Sequence, residues 1–477
     1  KSFPSAMNYM MAFNPIENIV LYWDEPTISL DYEEHYLHEY IENIWKINKI
    51  PNIVLSSATF PNEIYIQPFV QSFKDKFDET AIVHTIISHD FKKTIPLYNK
   101  NNEIVVPHLL FDSYKEFIES INYCFENKTI LRYLDIDYIV EVILLMDEHN
   151  LTPNKLKINN YFESIDSITI SNIKIYYLLI LKDINEEEFL LIKKLVSDKS
   201  KIYESTINLT TTDASTLTDG PTIYLTNDVM KIAKFCLQIS KIPTLTLNEI
   251  NKNIDYNNSL STKIKLLEKD LDDGTKKDQD KEKKISEGRI DESMKKLSNE
   301  IDVLRTMIKK IELNNVYIPN KKEHLEKWGI ELDGKRNPFT SDLDSSVVEK
   351  VMMLEDVDDN FKLLLLMGIG VFIEYKNKNY LEIMKILAQE QKLYMIIAST
   401  DYIYGTNYQF CHGYIGKDLE YLTQEKLIQA LGRIGRGKLQ QNYSIRFRDD
   451  NLIKKVFMRD SNKMEVSNIN RLFSSTV

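Results

Sequence analysis

The sequence predicts an α/β fold with parallel sheets, divided into two units and carrying a helical insertion and a charged helical-hairpin arm. Three observations support this. Two apolar runs, "NIVLYW" (18–23) and "NIVLSSAT" (52–59), flank a helical stretch, and runs that are apolar throughout are the mark of parallel strands buried on both faces. The same alternation of strand and helix returns at 220–239 and again at 363–447. Between about 246 and 345 the composition instead becomes heavily charged and carries short heptad seams.

Taken in order, "YEEHYLHEYIENIWKI" has Tyr36, Tyr40, Ile44 and Ile47 at spacings of three and four, which predicts a helix between the first two strands. From about 82 to 215 the pattern changes. "AIVHTIISHD" and "NEIVVPHLLF" read as strands, and "SYKEFIESINYCF", "DIDYIVEVILLMDEH" and "NEEEFLLIKKLV" as helices. This stretch carries no chemistry-bearing motif and ends in the polar run "NLTTTDASTLTDG". "GPTIYLTNDVMKIAKFCLQI" restarts strand, polar turn and helix.

Leu260, Ile264, Leu267 and Leu271 form one seam, and Met294, Leu297, Ile301, Leu304, Ile308 and Ile311 another. With "DDGTKKDQDKEKK" between them, the simplest structure is a two-helix antiparallel arm. The arm is a candidate contact for a protein partner or nucleic acid, but burial of the two helices against each other is the favoured account of the seams. "KLLLLMGIGVF", "YLEIMKILAQEQ", "LYMIIASTD", "EKLIQALGRIGRG" and "YSIRF" then resume the α/β pattern. The expected division is 1–82, the later half of a first α/β domain; 83–215, a mostly helical insertion; 216–245 with 346–460, a second α/β domain; 246–345, the arm; and 461–477, a tail.

At 477 residues the chain exceeds one ordinary domain, and its 27 Tyr and 20 Phe give it ample core material. The longest apolar run, 363–373, is too short to span a membrane and contains two glycines. Cys124, Cys236 and Cys411 are odd in number and far apart, which excludes a disulfide framework from within the chain. A soluble intracellular protein is expected. His35 and His38 could share a helix face, but no third metal ligand lies nearby.

A net charge of −11 argues against nucleic-acid binding by the whole surface. The balance reverses locally, since nine Lys or Arg and three Asp lie between Ala430 and Met464. A solvated basic face and a phosphate-binding cleft both fit that reversal.

Several residues fit a chemistry. Asp24 and Glu25 close an apolar strand, where adjacent carboxylates are costly unless a cation is near; nucleotide-bound Mg²⁺ would supply it. Glu25 would then orient or deprotonate an attacking water. "LSSATFPN" (55–62) ends a strand in small hydroxyl residues, which either present donors to something or mark an ordinary strand exit. Gln429, Arg433 and Arg436, spaced by four and three, would share one side of a helix entering a glycine turn, where two Arg can grip a phosphoryl group.

On these residues the chain resembles a superfamily-two helicase. "DEPT" stands in the place of motif two, "SAT" of motif three, "GPTIYLTN" of motif four, "STDYIYGTN" of motif five and "QALGRIGR" of motif six. "SATFPN", "GIGVF" and the strand ending "IIASTDYIYGTN" are most similar to the superkiller-type DExH-box branch. The resemblance covers roughly 15–65, 220–240 and 360–450, and it implies two RecA-like domains, the first incomplete. It implies an ATP- and Mg²⁺-dependent helicase or translocase acting on single-stranded nucleic acid, RNA rather than DNA.

The resemblance makes Asp24 the Mg²⁺-holding carboxylate and Glu25 the water-activating one. It makes Ser57 and Thr59 the residues coupling nucleotide state to domain closure, and Thr400 a nucleic-acid phosphate contact. Gly405 and Asn407 would face the nucleotide, Arg433 and Arg436 would be arginine fingers, and Gln429 would join them and Glu25 as a catalytic residue.

Two departures stand out. Thr27 replaces the usual His or Asp of motif two, with Pro26 before it. The phosphate-cradling GxxxxGK[ST] loop should precede Asp24, yet the first glycine of the chain is Gly220. The string from Gly432 to Lys438 matches GxxxxGK but continues into Leu439 and lies inside motif six. Because the first residue is Lys rather than Met, the expectation is that a segment with that loop precedes this sequence. The alternative is a non-hydrolysing, helicase-shaped nucleic-acid-binding or scaffold protein. Abundant Asn, Ile, Lys and Tyr fit an A+T-rich coding sequence such as that of a large DNA virus.

Overall fold

The computed structural model describes residues 2–57, 59–88, 91–198, 220–279, 292–327, 339–374, 378–402, 408–436, 443–460 and 463–474. The chain begins with α1 (Phe3–Phe13), β1 (Val20–Asp24), α2 (Tyr36–Ile47), β2 (Asn52–Ser56) and α3 (Gln67–Phe77). β3 (Leu97–Tyr98) precedes α4 (Tyr114–Glu126), α5 (Ile136–Glu148), α6 (Ile158–Tyr161), α7 (Ile170–Asp183) and α8 (Glu186–Asp198). Then come β4 (Thr222–Leu225), α9 (Val229–Ile239), α10 (Thr244–Gln279), α11 (Glu292–Thr306), α12 (Lys322–Lys327), α13 (Ser345–Met352) and α14 (Asp359–Leu366). The last elements are β5 (Ile369–Phe372), α15 (Lys378–Gln389), β6 (Met395–Ala398), β7 (His412–Ile415), α16 (Gln424–Leu431), β8 (Ser444–Phe447), α17 (Asp450–Phe457) and α18 (Met464–Leu472).

The chain is α/β with parallel strand pairing, and it divides into two compact units. One comprises Lys1–Glu204, Ile403–Asn407 and Gly413–Val477; the other comprises Ser205–Tyr402 and Tyr408–His412. This partition groups residues 413–477 with the N-terminal region, whereas the sequence-based division assigns them to the second α/β domain and a tail.

In the first unit β1 pairs with β2 in parallel, Asp24 opposite Ser56. The expectation that both strands are buried on both faces fails. Val20, Tyr22 and Val54 are 59%, 61% and 45% exposed. Trp23, Ile53 and Leu55 point the other way, onto a core of Leu30, Ile41, Trp45, Phe69 and Phe473. The helix between the strands forms as its periodicity requires, but the packed face is His38, Ile41 and Trp45, not Tyr36, Tyr40 and Ile47, which are exposed. Both sets have helical spacing, and the indole of Trp45, 1% exposed, offers the larger apolar area to bury.

The insertion is helical as expected at α4, α5 and α8. Of the expected strands at 81–90 and 102–111, neither forms among the described residues, where an isolated bridge joins Ile104 to Tyr98. Residues 81–88 are irregular, with Ile82 and Ile86 exposed, and Pro107 opens a short 3₁₀ turn, Pro107–Leu110. Proline lacks the N–H a strand ladder needs. The strand that does form, β3, pairs in parallel with β8, Tyr98 opposite Arg446. Residues 461–477, expected to be a tail, contain α18, whose Ile469 and Leu472, with Phe473 beyond it, complete the core under β1 and β2.

In the second unit β6 pairs in parallel with both β4 and β5. All three strands are buried along their length, and α9, α14 and α15 pack against the sheet. The turn from α14 into β5 passes through Gly368 at φ +78°, where a Cβ would lie 2.3 Å from that of Ser341, so only glycine fits there.

The arm is antiparallel. Glu268 of α10 meets Arg305 of α11 at 2.8 Å, while nearer the base Asn257 donates to the Lys309 carbonyl (2.7 Å) and accepts from its N–H (2.9 Å). Asn257 is buried and satisfied in both directions, which fixes the register of the seam. Leu260, Ile264 and Ile301 are buried as the spacing predicts, but α11 ends at Thr306, so Ile308 and Ile311, expected to continue its seam, lie beyond the helix, Ile311 buried there.

Candidate functional site

Asp24 is the last residue of β1 and is exposed. Glu25 follows in the left-handed region at φ +49°, which is uncommon for a residue with a Cβ and persists only where surrounding contacts enforce it. Its N–H donates to the Ser56 carbonyl at 2.7 Å, carrying the sheet ladder one residue past the strand. The reversal turns its carboxylate toward Ser57, whose hydroxyl donates to Glu25 Oε2 at 3.1 Å.

Ser57 has one proton to give, and Glu25 takes it. Its oxygen therefore accepts from the Thr27 hydroxyl at 2.8 Å and from the Thr59 N–H at 3.4 Å. The result is a directed chain, Thr27 to Ser57 to Glu25. The departure at Thr27 thus acquires a role, because its buried hydroxyl supports Ser57. The glutamine of α16 reaches a different hydroxyl, with Gln429 Nε2 donating to Thr59 Oγ1 at 2.8 Å.

Other contacts fix α16 against the loop after Glu25. Lys426 forms a close ion pair with Asp31 and stands 3.7 Å from the centre of the Tyr32 ring. Burial works against its ammonium, but the bonds and charge of Asp31 and Tyr32 outweigh that and raise its pKa. From α18, the Asn468 side chain donates to the carbonyls of Leu30 (2.8 Å) and Tyr32 (2.9 Å).

Glu465 of α18 is 5% exposed. Burial first, then the negative charges of Glu425 and Asp31, push its carboxyl up to about 9; Lys463 opposes this and Glu25 adds to it. The sequence reading missed α18. Its signal was the spacing Val466, Ile469, Leu472.

The arginines stand differently from their expected helical positions. α16 ends at Leu431, and Arg433 and Arg436 lie in the turn beyond it, with the Arg433 N–H bonded to the Ala430 carbonyl at 3.1 Å. Arg433 is half-buried, Arg436 is exposed, and Ile434 between them is fully buried. Thr400, in the second unit, is buried in the 3₁₀ turn after β6. Gly405 and Asn407 lie outside the described residues, as does Ala58.

Much of the basic stretch is engaged within the fold. Arg446 is buried with its guanidinium 4.2 Å from the Tyr98 ring centre. Lys454 pairs with Asp112 at 3.4 Å, Arg459 pairs closely with Glu126, and Lys463 pairs with Glu425 at 3.7 Å.

Three of the histidines have structural partners. His35 caps α2, accepting from the Leu37 N–H, and His38 contacts the Ser29 carbonyl at 2.9 Å. His108 and Cys124 approach to 3.4 Å, but burial pushes the imidazole down to about 3 and the thiol up. Both stay neutral, which excludes a thiolate–imidazolium nucleophile. Among the described residues no group of three or more His, Cys, Asp or Glu is placed to hold a metal ion. No helix among them is long and apolar enough to cross a membrane. No family model and no curated protein matches the chain.

Proposed function

We propose that the chain is the motor portion of an ATP-dependent, superfamily-two nucleic-acid helicase or translocase with RecA-like domains, acting on single-stranded RNA rather than DNA. The observation that carries this reading is the connection of three separate sequence motifs in one unit, from Glu25 through Ser57 and Thr59 to Gln429. A carboxylate held by a hydroxyl and tied to the helix before an arginine turn is the arrangement a phosphoryl-transfer site needs to sense nucleotide.

In this reading Asp24, an exposed carboxylate, would hold the nucleotide-bound Mg²⁺. One or two carboxylates suffice for that ion, so a cage of three protein ligands is not required. When bound, ATP would supply the reactive phosphoryl group and Mg²⁺ would neutralise charge on its phosphate oxygens. Glu25 orients water, and Arg433 and Arg436 stabilise the charge that develops. The chain alone is expected to be inactive for want of the phosphate loop, so the test is made in the complete protein, where Glu25→Gln should lower ATP turnover by about 10²–10⁴-fold while leaving nucleotide binding intact. Retained turnover removes Glu25 from this role.

A second reading is favoured by one sequence fact: no stretch combines GxxxxGK with a following Ser or Thr. A non-hydrolysing nucleic-acid-binding or scaffold protein would bind RNA equally with and without ATP, and Glu25→Gln would change nothing.

A further inference from the structure

The turn that carries the two arginines is held from beneath by the helical insertion. Gly435 adopts φ +69°, and a Cβ there would lie 2.6 Å from Ile95 Cδ1, so the turn rests directly on Ile95, which is fully buried. The ammonium of Lys93 donates to the Gly435 carbonyl. The guanidinium of Arg132 reaches the carbonyls of Ile434 and Gly435, both at 3.5 Å. The Gly435 carbonyl thus meets two cations and the Ile434 carbonyl one, and hydrogen bonds from charged donors are stronger than neutral ones.

The support is itself braced. The Ile95 N–H donates to the Arg132 carbonyl at 2.9 Å, and the Ile445 N–H to the Pro96 carbonyl at 3.0 Å. Thr94 donates to the Leu134 carbonyl and accepts from the Ile136 N–H, both at 2.9 Å. Below, Lys174 of α7 is buried and donates to the carbonyls of Phe91 (3.2 Å) and Lys93 (2.6 Å). Burial holds Lys174 down to about 7; Asp135 opposes that and Arg132 adds to it. Lys93, Arg132 and Lys174 thus gather beneath a turn bearing two more cations, with Asp135 as the acid among them.

We propose that Lys93 and Arg132 are positioning residues for the arginine turn, and that the insertion therefore belongs to the phosphate-handling machinery. By fixing the Ile434 and Gly435 carbonyls they set the direction in which Arg433 and Arg436 leave the turn. The inference rests on the reading that these arginines grip phosphoryl oxygens.

The test is calorimetric titration of the full chain with inorganic tripolyphosphate, with the melting temperature followed alongside. Arg436→Ala should weaken binding about tenfold or more, as loss of a charged hydrogen bond does. Arg132→Gln and Lys93→Gln should weaken it comparably while melting near wild type. Arg132→Lys should recover most of the loss, and Arg132→Gln combined with Arg436→Ala should bind no worse than Arg436→Ala alone. A merely structural role would give neither the charge rescue nor the non-additivity.

Wild-type affinity in both Arg132→Gln and Lys93→Gln, with Arg436→Ala impaired, overturns the positioning role. Wild-type affinity in Arg436→Ala removes the phosphate-gripping reading, and the positioning role falls with it. If Arg132→Gln fails to fold, Lys93→Gln and Arg132→Lys decide between the same outcomes.

Discussion

β1 in the first unit and β6 in the second are both short apolar strands, yet they bury different amounts of themselves. β6 is covered along its whole length, with β4 and β5 beside it. β1 has one hydrogen-bonded neighbour and one covered face, the face that meets Trp45 and the α18 residues. Burial is therefore decided by what packs over a strand, and a run of branched and aromatic side chains cannot report it. In the first unit stability should concentrate on one side of the sheet, and the polar ends of the strands should depend on the helices beneath.

The largest test of that asymmetry is on the covered face. Trp45 is 1% exposed and packs edge-on to Phe69 and Phe473 at 5.2 and 5.4 Å. Trp45→Ala should cost about 3–5 kcal/mol in denaturant unfolding of the first unit. It should also loosen α18, because Phe473, beyond its end, loses one of its three ring partners, keeping Trp23 and Phe69. A cost below about 1 kcal/mol, the range of ordinary surface changes, would mean that the core under β1 and β2 is not where the unit is held.

A smaller effect, graded with pH, is expected where α18 meets the carboxylate loop. Glu465 has its pKa raised from 4.5 to about 9, so the folded chain holds a proton that the unfolded chain releases. Its contribution to stability is fully present below pH 4.5 and is lost as pH rises through about 9. Lys174, lowered from 10.5 to about 7, acts with the opposite sign: its contribution is present above 10.5 and is lost as pH falls through about 7. Glu465→Gln keeps the shape and removes the titration. Its urea midpoint should gain on wild type as pH is raised from 5 to 9, by up to about 1.4 kcal/mol per pH unit. A constant difference between the two proteins would show that Glu465 is already ionised in the fold.

These contrasts also define what the sequence could reveal. The order β1, α2, β2, the insertion helices α4, α5 and α8, and most of the seam of the arm follow from local periodicity, which nearby residues carry, whereas α6 and α7 of the insertion were not read from it. Asp24, Glu25, Ser57, Thr59 and Gln429 were legible as candidates because strand ends and helix spacing mark them. Their wiring was not. The hydrogen bond from Gln429 to Thr59 joins residues 370 positions apart, and the Lys93 ammonium meets a carbonyl 342 positions away. The packed face of α2 was ambiguous because two helical stripes satisfy the same spacing. α18 was hidden because nine residues of mixed polarity acquire an apolar role only once the sheet they cover exists.

The smallest expected effect lies on the open face, and it sharpens the comparison most. Tyr22 is 61% exposed beside Val54, its partner across the strand pair. Tyr22→Thr keeps strand propensity while removing the ring, so it should change unfolding stability by less than about 0.5 kcal/mol, the usual scale for a surface site. Set against Trp45→Ala on the opposite face of the same two strands, the ratio of the two costs measures how one-sided the sheet is in solution. A Tyr22→Thr cost approaching that of a core aromatic would require the Val20, Tyr22 and Val54 face to be covered in the protein as purified. The oligomeric state of the variant would then show whether a second copy provides that cover.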